Sequence, residues 1–228
     1  MGSLRRLLEA AGSAGLVFRG AFSPAPEDGV PDARPGVRTG TLVLLGFAGR
    51  QGFPAFAASP EASDGAPHPL DRWSRRVIEG LAEQVDGAAL FPFGGPPWLP
   101  FQRWAMRAED VRPSPLGLLI HPERGLWHSY RGAVALQETY AGEEVARAGA
   151  GPCDTCPTRP CLSACPVGAF TREGYDVDRC AAQLRSPAGA ACMDGGCLAR
   201  RACPVGAEHA HTPEQAAFGM RAFLSARV

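Results

Sequence analysis

The chain has 228 residues, 45% hydrophobic and 20% charged, which is enough apolar matter for a packed core and excludes a disordered peptide or a long repeat array. Its 28 Gly and 22 Pro demand frequent turns and exclude a bundle of long helices. The 23 basic and 23 acidic residues cancel to a formal charge of +0, so no global field draws nucleic acid or an anionic membrane surface, and neither DNA nor a membrane is an expected partner.

Every basic residue is Arg, because no Lys occurs in the sequence. That excludes a Schiff-base lysine for pyridoxal phosphate and a P-loop ending in Lys-Ser or Lys-Thr. The longest apolar run, from Thr41 to Ala48, is too short to span a membrane, and Glu9 interrupts the stretch that a signal peptide would require. No sustained apolar segment follows Arg5 and Arg6, and Arg6 itself breaks the myristoylation pattern of a Gly2 start. The expected location is cytoplasmic.

In chain order, Ser3 is placed to cap a helix whose Leu4, Leu7, Leu8 and Ala11 share one face, with Gly12 and Gly15 ending it. The Pro-, Gly- and Asp-rich stretch from Ala21 to Arg38 reads as a surface loop, and Thr41 to Phe47 as a buried strand. Leu70, Trp73, Val77, Ile78, Leu81 and Val85 recur with helical period until Gly87. A short strand from Ala88 to Phe93 precedes the breaker-rich loop from Gly94 to Pro100, and a helix then carries Phe101, Trp104, Ala105 and Ala108. Leu116 to His121 and Trp127 to Leu136 flank Pro122-Glu-Arg-Gly125 and read as two antiparallel strands joined by a tight loop. At the end, Thr212, Pro213 and Gln215 supply a cap, a first-turn proline and a capping-box partner for a C-terminal helix.

All eight cysteines fall between Cys153 and Cys203, a compositional boundary that separates an α+β domain at 1–147 from a Cys-rich module at 148–212 and a helix at 213–228. Cys165-Pro-Val-Gly-Ala169 returns as Cys203-Pro-Val-Gly-Ala207, an internal repeat. The first half reads Cys153-x2-Cys156-x4-Cys161-x3-Cys165-Pro166; the second has Cys180, Cys192, Cys197 and Cys203-Pro204. Closely spaced thiols let a loop wrap a compact inorganic core, and eight thiols suffice for two [4Fe–4S] clusters. The run matches the outer spacings of the bacterial two-cluster ferredoxins and carries two extra residues between its second and third cysteines. By analogy with their crossed ligation, Cys153, Cys156, Cys161 and Cys203 are assigned to one cluster, and Cys165, Cys180, Cys192 and Cys197 to the other.

Competing readings are disulfides, which need an oxidising compartment, two four-cysteine zinc sites, which usually pair CxxC knuckles that the second half lacks, and clusters with a purely structural role. Gly168 and Gly206 are expected to turn the chain beside a cluster, and His209 and His211 to lie on the surface.

The segment Gly117-Leu-Leu-Ile-His121-Pro-Glu-Arg-Gly125-Leu-Trp127-His-Ser-Tyr-Arg131-Gly132 resembles the corresponding stretch of the cobalamin-processing CblC family. That likeness implies a nitroreductase-like α+β fold for the first domain, a bound cobalamin, and His121, Trp127 and Arg131 as residues that hold the cofactor or an anionic co-substrate. Asp178-Arg179-Cys180 between two Cys-Pro-terminated runs is similar to epoxyqueuosine reductase, in which a cobalamin domain precedes two [4Fe–4S] clusters, and reductive dehalogenases share that plan. Read from residues alone, His121 fits a strand-end hydrogen bond as well as a ligand, Trp127 fits the core, and Arg131 fits a carboxylate partner as well as a bound anion.

The expected protein is therefore a redox protein, leaning towards an oxidoreductase, with a ferredoxin-like two-cluster module that passes electrons to a corrinoid or small-molecule substrate in its first domain. The alternatives are a ferredoxin-like carrier whose first domain docks a redox partner protein, and a cobalamin chaperone.

Overall fold

A computed structural model describes residues 2–140, 145, 149–171 and 173–227. The protein is mixed α+β and divides into two compact units, Met1–Asp110 with His128–Arg147, and Val111–Trp127 with Ala148–Val228.

In the first unit, α1 (Ser3–Ser13) buries Leu7 and Ala11. Its N-cap is Gly2 rather than Ser3, whose N–H and hydroxyl both donate to the Glu138 carboxylate instead. The strand β1 (Val17–Phe22) runs into what the sequence suggests is loop. Next comes β2 (Thr41–Ala48), buried at every position, as its continuous apolar run requires. The short α2 (Phe53–Ala57) brings Phe56 against Trp73, with ring centroids 6.1 Å apart. The predicted amphipathic helix is α3 (Pro69–Gln84), which buries Trp73, Ile78 and Leu81 and packs on the sheet. A short β3 (Ala88–Leu90) follows, then α4 (Phe101–Ala108), whose Trp104 is fully buried with Nε1 donating to the Asp28 carbonyl at 2.9 Å.

Between the parts of the first unit, β4 (Arg112–Pro113) and β5 (Leu119–Ile120) form a small antiparallel pair that belongs to the second unit. The chain then returns as β6 (His128–Leu136). The main sheet is antiparallel in the order β1-β2-β6-β3, with Thr41 opposite Leu136 and Ala88 opposite Ala135.

This topology corrects the predicted hairpin. Leu116–His121 does not pair with Trp127–Leu136; β6 lies between β2 and β3, while Leu119 and Ile120 pair with Pro113 and Arg112. The physical reason is competition for partners: β2 offers β6 eight residues of wholly buried strand, more than the short apolar stretch before it can. The boundary expected at 147/148 changes with it, because residues 111–127 and the C-terminal helix both belong to the cysteine-bearing unit.

That unit is built of short helices: α5 (Pro160–Ser163), α6 (Val177–Arg185), α7 (Ala190–Gly195), α8 (Leu198–Arg201) and α9 (Pro213–Ser225). Asp176 caps α6 by accepting from Arg179 N–H at 2.9 Å, and Thr212 caps α9 by accepting from Gln215 N–H at 3.2 Å. Leu116, Ile120, Leu126, Ala199 and Cys203 form its buried apolar centre. Among the described residues no helix is long and apolar enough to cross a membrane.

Candidate metal centres

Six of the eight cysteines lie on or just beside short helices of the second unit. Cys161 rides on α5 and Cys165 follows it; Cys180 is on α6; Cys192 is on α7, which ends at Gly196 with φ 85°; Cys197 precedes α8 and Cys203 follows it. All eight are free thiols.

They gather in two sets. Cys153, Cys156, Cys161 and Cys203 line one small cavity, with Pro115, Ile120, Pro204 and Val205 in its wall. Cys165, Cys180, Cys192 and Cys197 line a second, with Phe170, Leu184, Leu198 and Met220. The Cys-Pro cysteine of each repeat thus lines a cavity with thiols of the opposite half.

The donor sets fit two four-thiolate clusters. Four thiolates on one zinc ion at about 2.3 Å must lie only ~3.8 Å from one another. Among the described residues no three Cys, His, Asp or Glu side chains come close enough to hold a single ion. Each quartet lines its own cavity.

The thiols of each quartet act on one another. Burial, reinforced by neighbouring thiols of the same quartet, pushes Cys153 and Cys161 above the usual thiol range. Cys180 and Cys197 are likewise raised, first by burial and then by charges within their own set. Four thiolates coexist in such a wall only when a metal core neutralises them. Backbone groups assist: Ala169 N–H donates to Cys165 Sγ at 3.3 Å.

His121, Trp127 and Arg131 do not come together within one unit. Arg131 lies in the first, with Nε donating to Ser74 Oγ at 3.0 Å and Nη2 to Asp71 at 2.5 Å. The carboxylate partner is thus what this arginine has. His121 and Trp127 lie in the second unit. The Nδ1 of His121 accepts from the N–H groups of Glu123 and Arg124 at 3.1 and 3.2 Å, organising the Pro122–Gly125 turn. Trp127 is buried, with the Arg200 guanidinium 4.8 Å from its ring centroid and His211 edge-on at 5.3 Å.

His211 corrects its surface expectation. It is partly buried, and burial together with the nearby Arg200 charge pushes its imidazole down to about 3, so it is neutral. Its neighbours are set by the fold, and no local pattern around Thr212 announces them. The sequence also gave no sign of Tyr175, whose ring stacks on Phe170 at 4.8 Å beside the second cavity.

The first unit has its own aromatic feature. Trp98, 66% exposed on the loop after β3, borders a cleft of about 250 Å³ with Phe91, Phe93 and Arg75.

No protein-family model, curated protein or solved structure matches this chain.

Proposed function

We propose that this protein is an electron-transfer protein that holds two [4Fe–4S] clusters, one on Cys153, Cys156, Cys161 and Cys203 and the other on Cys165, Cys180, Cys192 and Cys197. The observation that carries this reading is the gathering of eight thiols into two quartets, each around its own largely apolar cavity. When bound, each cluster takes up and releases one electron at a time.

The chain's own contribution is position and environment. Cys161 on α5 and Cys165, two residues past the end of that helix, are four residues apart and serve different quartets. Ala199 is buried against the apolar centre between Cys197 and Cys203. Two covalent bridges through packed apolar matter therefore join the centres, a short path for an electron. Pro115, Ile120, Leu184 and Met220 keep water from the thiolates, and backbone N–H groups such as that of Ala169 stabilise charge on sulfur.

We read the second unit as ferredoxin-like and the first as a nitroreductase-like partner domain. The electrons pass to a redox partner protein, in the carrier reading, or to a ligand of the first unit. For the ligand reading, the aromatic cleft at Trp98 supplies ring faces flanked by an arginine, which suit a flat conjugated macrocycle such as a corrinoid.

Metal analysis of anaerobically purified protein tests the central claim: iron and acid-labile sulfide should match two cubanes per chain. Zinc without sulfide overturns it. Optical titration of the loaded protein with cob(II)alamin then separates the acceptors, and an unchanged spectrum favours the carrier.

A further inference from the structure

Trp98 is the most exposed large apolar side chain among the described residues, yet the loop that carries it fixes where its ring can lie. A Cβ on Gly95 would stand 2.9 Å from Trp98 Cε3 and 2.8 Å from the Pro97 carbonyl oxygen, so a glycine is what lets the indole fold back onto the loop. Gly94, with φ 88°, needs a glycine for its backbone, and a Cβ there would stand 3.2 Å from Arg75 Nη2. The Arg75 guanidinium in turn lies 4.7 Å from the Phe91 ring centroid and 5.7 Å from that of Phe93, and the two rings are 5.2 Å apart. An indole, two phenyl rings and a cation thus line one cleft of about 250 Å³, wholly within the first unit.

The polar groups of this cleft are largely unspent. Arg75 meets one carboxylate, that of Glu79, through Nη1 at 3.3 Å, and both side chains are half-exposed, where such a pair contributes little. Among the described residues its Nε and Nη2 have no acceptor. The N–H groups of Phe93, Gly94, Gly95 and Trp98 likewise make no hydrogen bond there, so solvent or a ligand must satisfy them. Two other arginines of this unit are fully engaged by contrast: Arg76 holds both oxygens of Glu61, and Arg131 holds Asp71 and Ser74.

Aromatic walls select a flat ring, and a guanidinium with a free fork selects a carboxylate or phosphate. The volume lies just below the roughly 300–1,000 Å³ of drug-sized sites, so the cleft takes one or two fused rings, and of a macrocycle it takes an edge. We propose that this cleft is a binding site for a small planar aromatic anion, its ring against Trp98 and its anionic group on Arg75. This rests on the reading in which the first unit holds a ligand.

The test is isothermal titration calorimetry of the anaerobically purified full chain with naphthalene-2-carboxylate, set against the neutral naphthalene-2-carboxamide, with circular dichroism and iron content as controls. The carboxylate should bind at one site per chain and more tightly than the amide. Trp98→Ala removes an exposed ring that the core does not use, and should weaken both probes by roughly fivefold or more. Arg75→Gln should abolish the preference for the carboxylate, and Arg75→Lys, which keeps the charge without the fork, should restore only part of it. Equal affinity for the two probes, binding that Trp98→Ala leaves in place, or no binding at millimolar concentration overturns the inference. If the carboxylate fails while cob(II)alamin changes the optical spectrum, the ligand reading stands and this inference alone falls. If neither binds, both fall and the carrier reading remains.

Discussion

Gly125 and Gly206 meet backbone to backbone. A Cβ on Gly125 would stand 1.9 Å from the Val205 carbonyl oxygen, and one on Gly206 would stand 2.4 Å from the Arg124 carbonyl carbon. Both have positive φ, 55° and 66°. The equivalent glycine of the first repeat copy, Gly168, has φ 59° but open space around it. The turn after His121 is thereby pressed against the segment that follows Cys203, and Pro204 and Val205 form part of the first cavity's wall.

A methyl group at either contact must push two backbones apart. Gly125→Ala and Gly206→Ala should therefore lower the melting temperature and reduce iron retention at the first centre. Gly168→Ala should cost only the left-handed strain, about 1–2 kcal/mol. Thermal unfolding and iron content of the three variants make the comparison, and equal losses would contradict it.

Crossed grouping predicts crossed damage. Cys203→Ala should impair the centre of Cys153, Cys156 and Cys161, although Cys203 lies nearer in sequence to Cys192 and Cys197. Cys165→Ala should impair the other. Resolved paramagnetic signals of the two variants should show complementary losses; loss of the same centre in both would refute the grouping.

Arg131 is held by Asp71 and Ser74 and its side chain is only 12% exposed. Asp71→Ala leaves the guanidinium without its counter-charge and should destabilise the protein by about 1–3 kcal/mol. Denaturant unfolding measures this. Arg131→Lys keeps the charge but loses the fork, and should destabilise less while both centres remain loaded.

Glu61 and Arg76 supply a pH-dependent contact. The Arg76 Nε and Nη2 donate to the two carboxylate oxygens at 2.5 and 3.0 Å, and this hydrogen bonding holds Glu61 down to about 2 from 4.5. Because the folded value lies below the unfolded one, the contribution is complete above about pH 4.5 and is lost as pH falls through about 2. Glu61→Gln should reduce stability at neutral pH and flatten the acid limb in that window. Unfolding curves at several pH values would detect it, and an unchanged acid limb would count against the pairing.

The elements legible in the sequence are those whose signals act within a turn or two. The spacing of Trp73, Ile78 and Leu81 specifies the buried face of α3, Thr212 and Gln215 specify the start of α9, and the apolar run from Thr41 specifies β2. The repeated Cys-Pro unit is equally local, whereas the assignment of its cysteines to two sets came from the likeness to two-cluster ferredoxins.

What only the tertiary structure decided is which distant segments meet. β6 pairs with β2 and β3 rather than with the apolar stretch just before it, and no local pattern ranks those partners. Arg19 lies on β1 with no exposed surface, its charge met by Glu109 at 2.7 Å and by the Phe47 carbonyl at 2.8 Å, ninety and twenty-eight residues away. Tyr130 also donates to Glu109. A buried cation is tolerable only when such partners converge on it, and their convergence belongs to the folded chain. The same holds for Arg200, His211 and Trp127, whose contacts join residues 126–127 to residues 200–211. Composition and spacing specify which groups a chain carries and how a turn of it folds; the packing of one segment on another determines which charges are left beside the thiols.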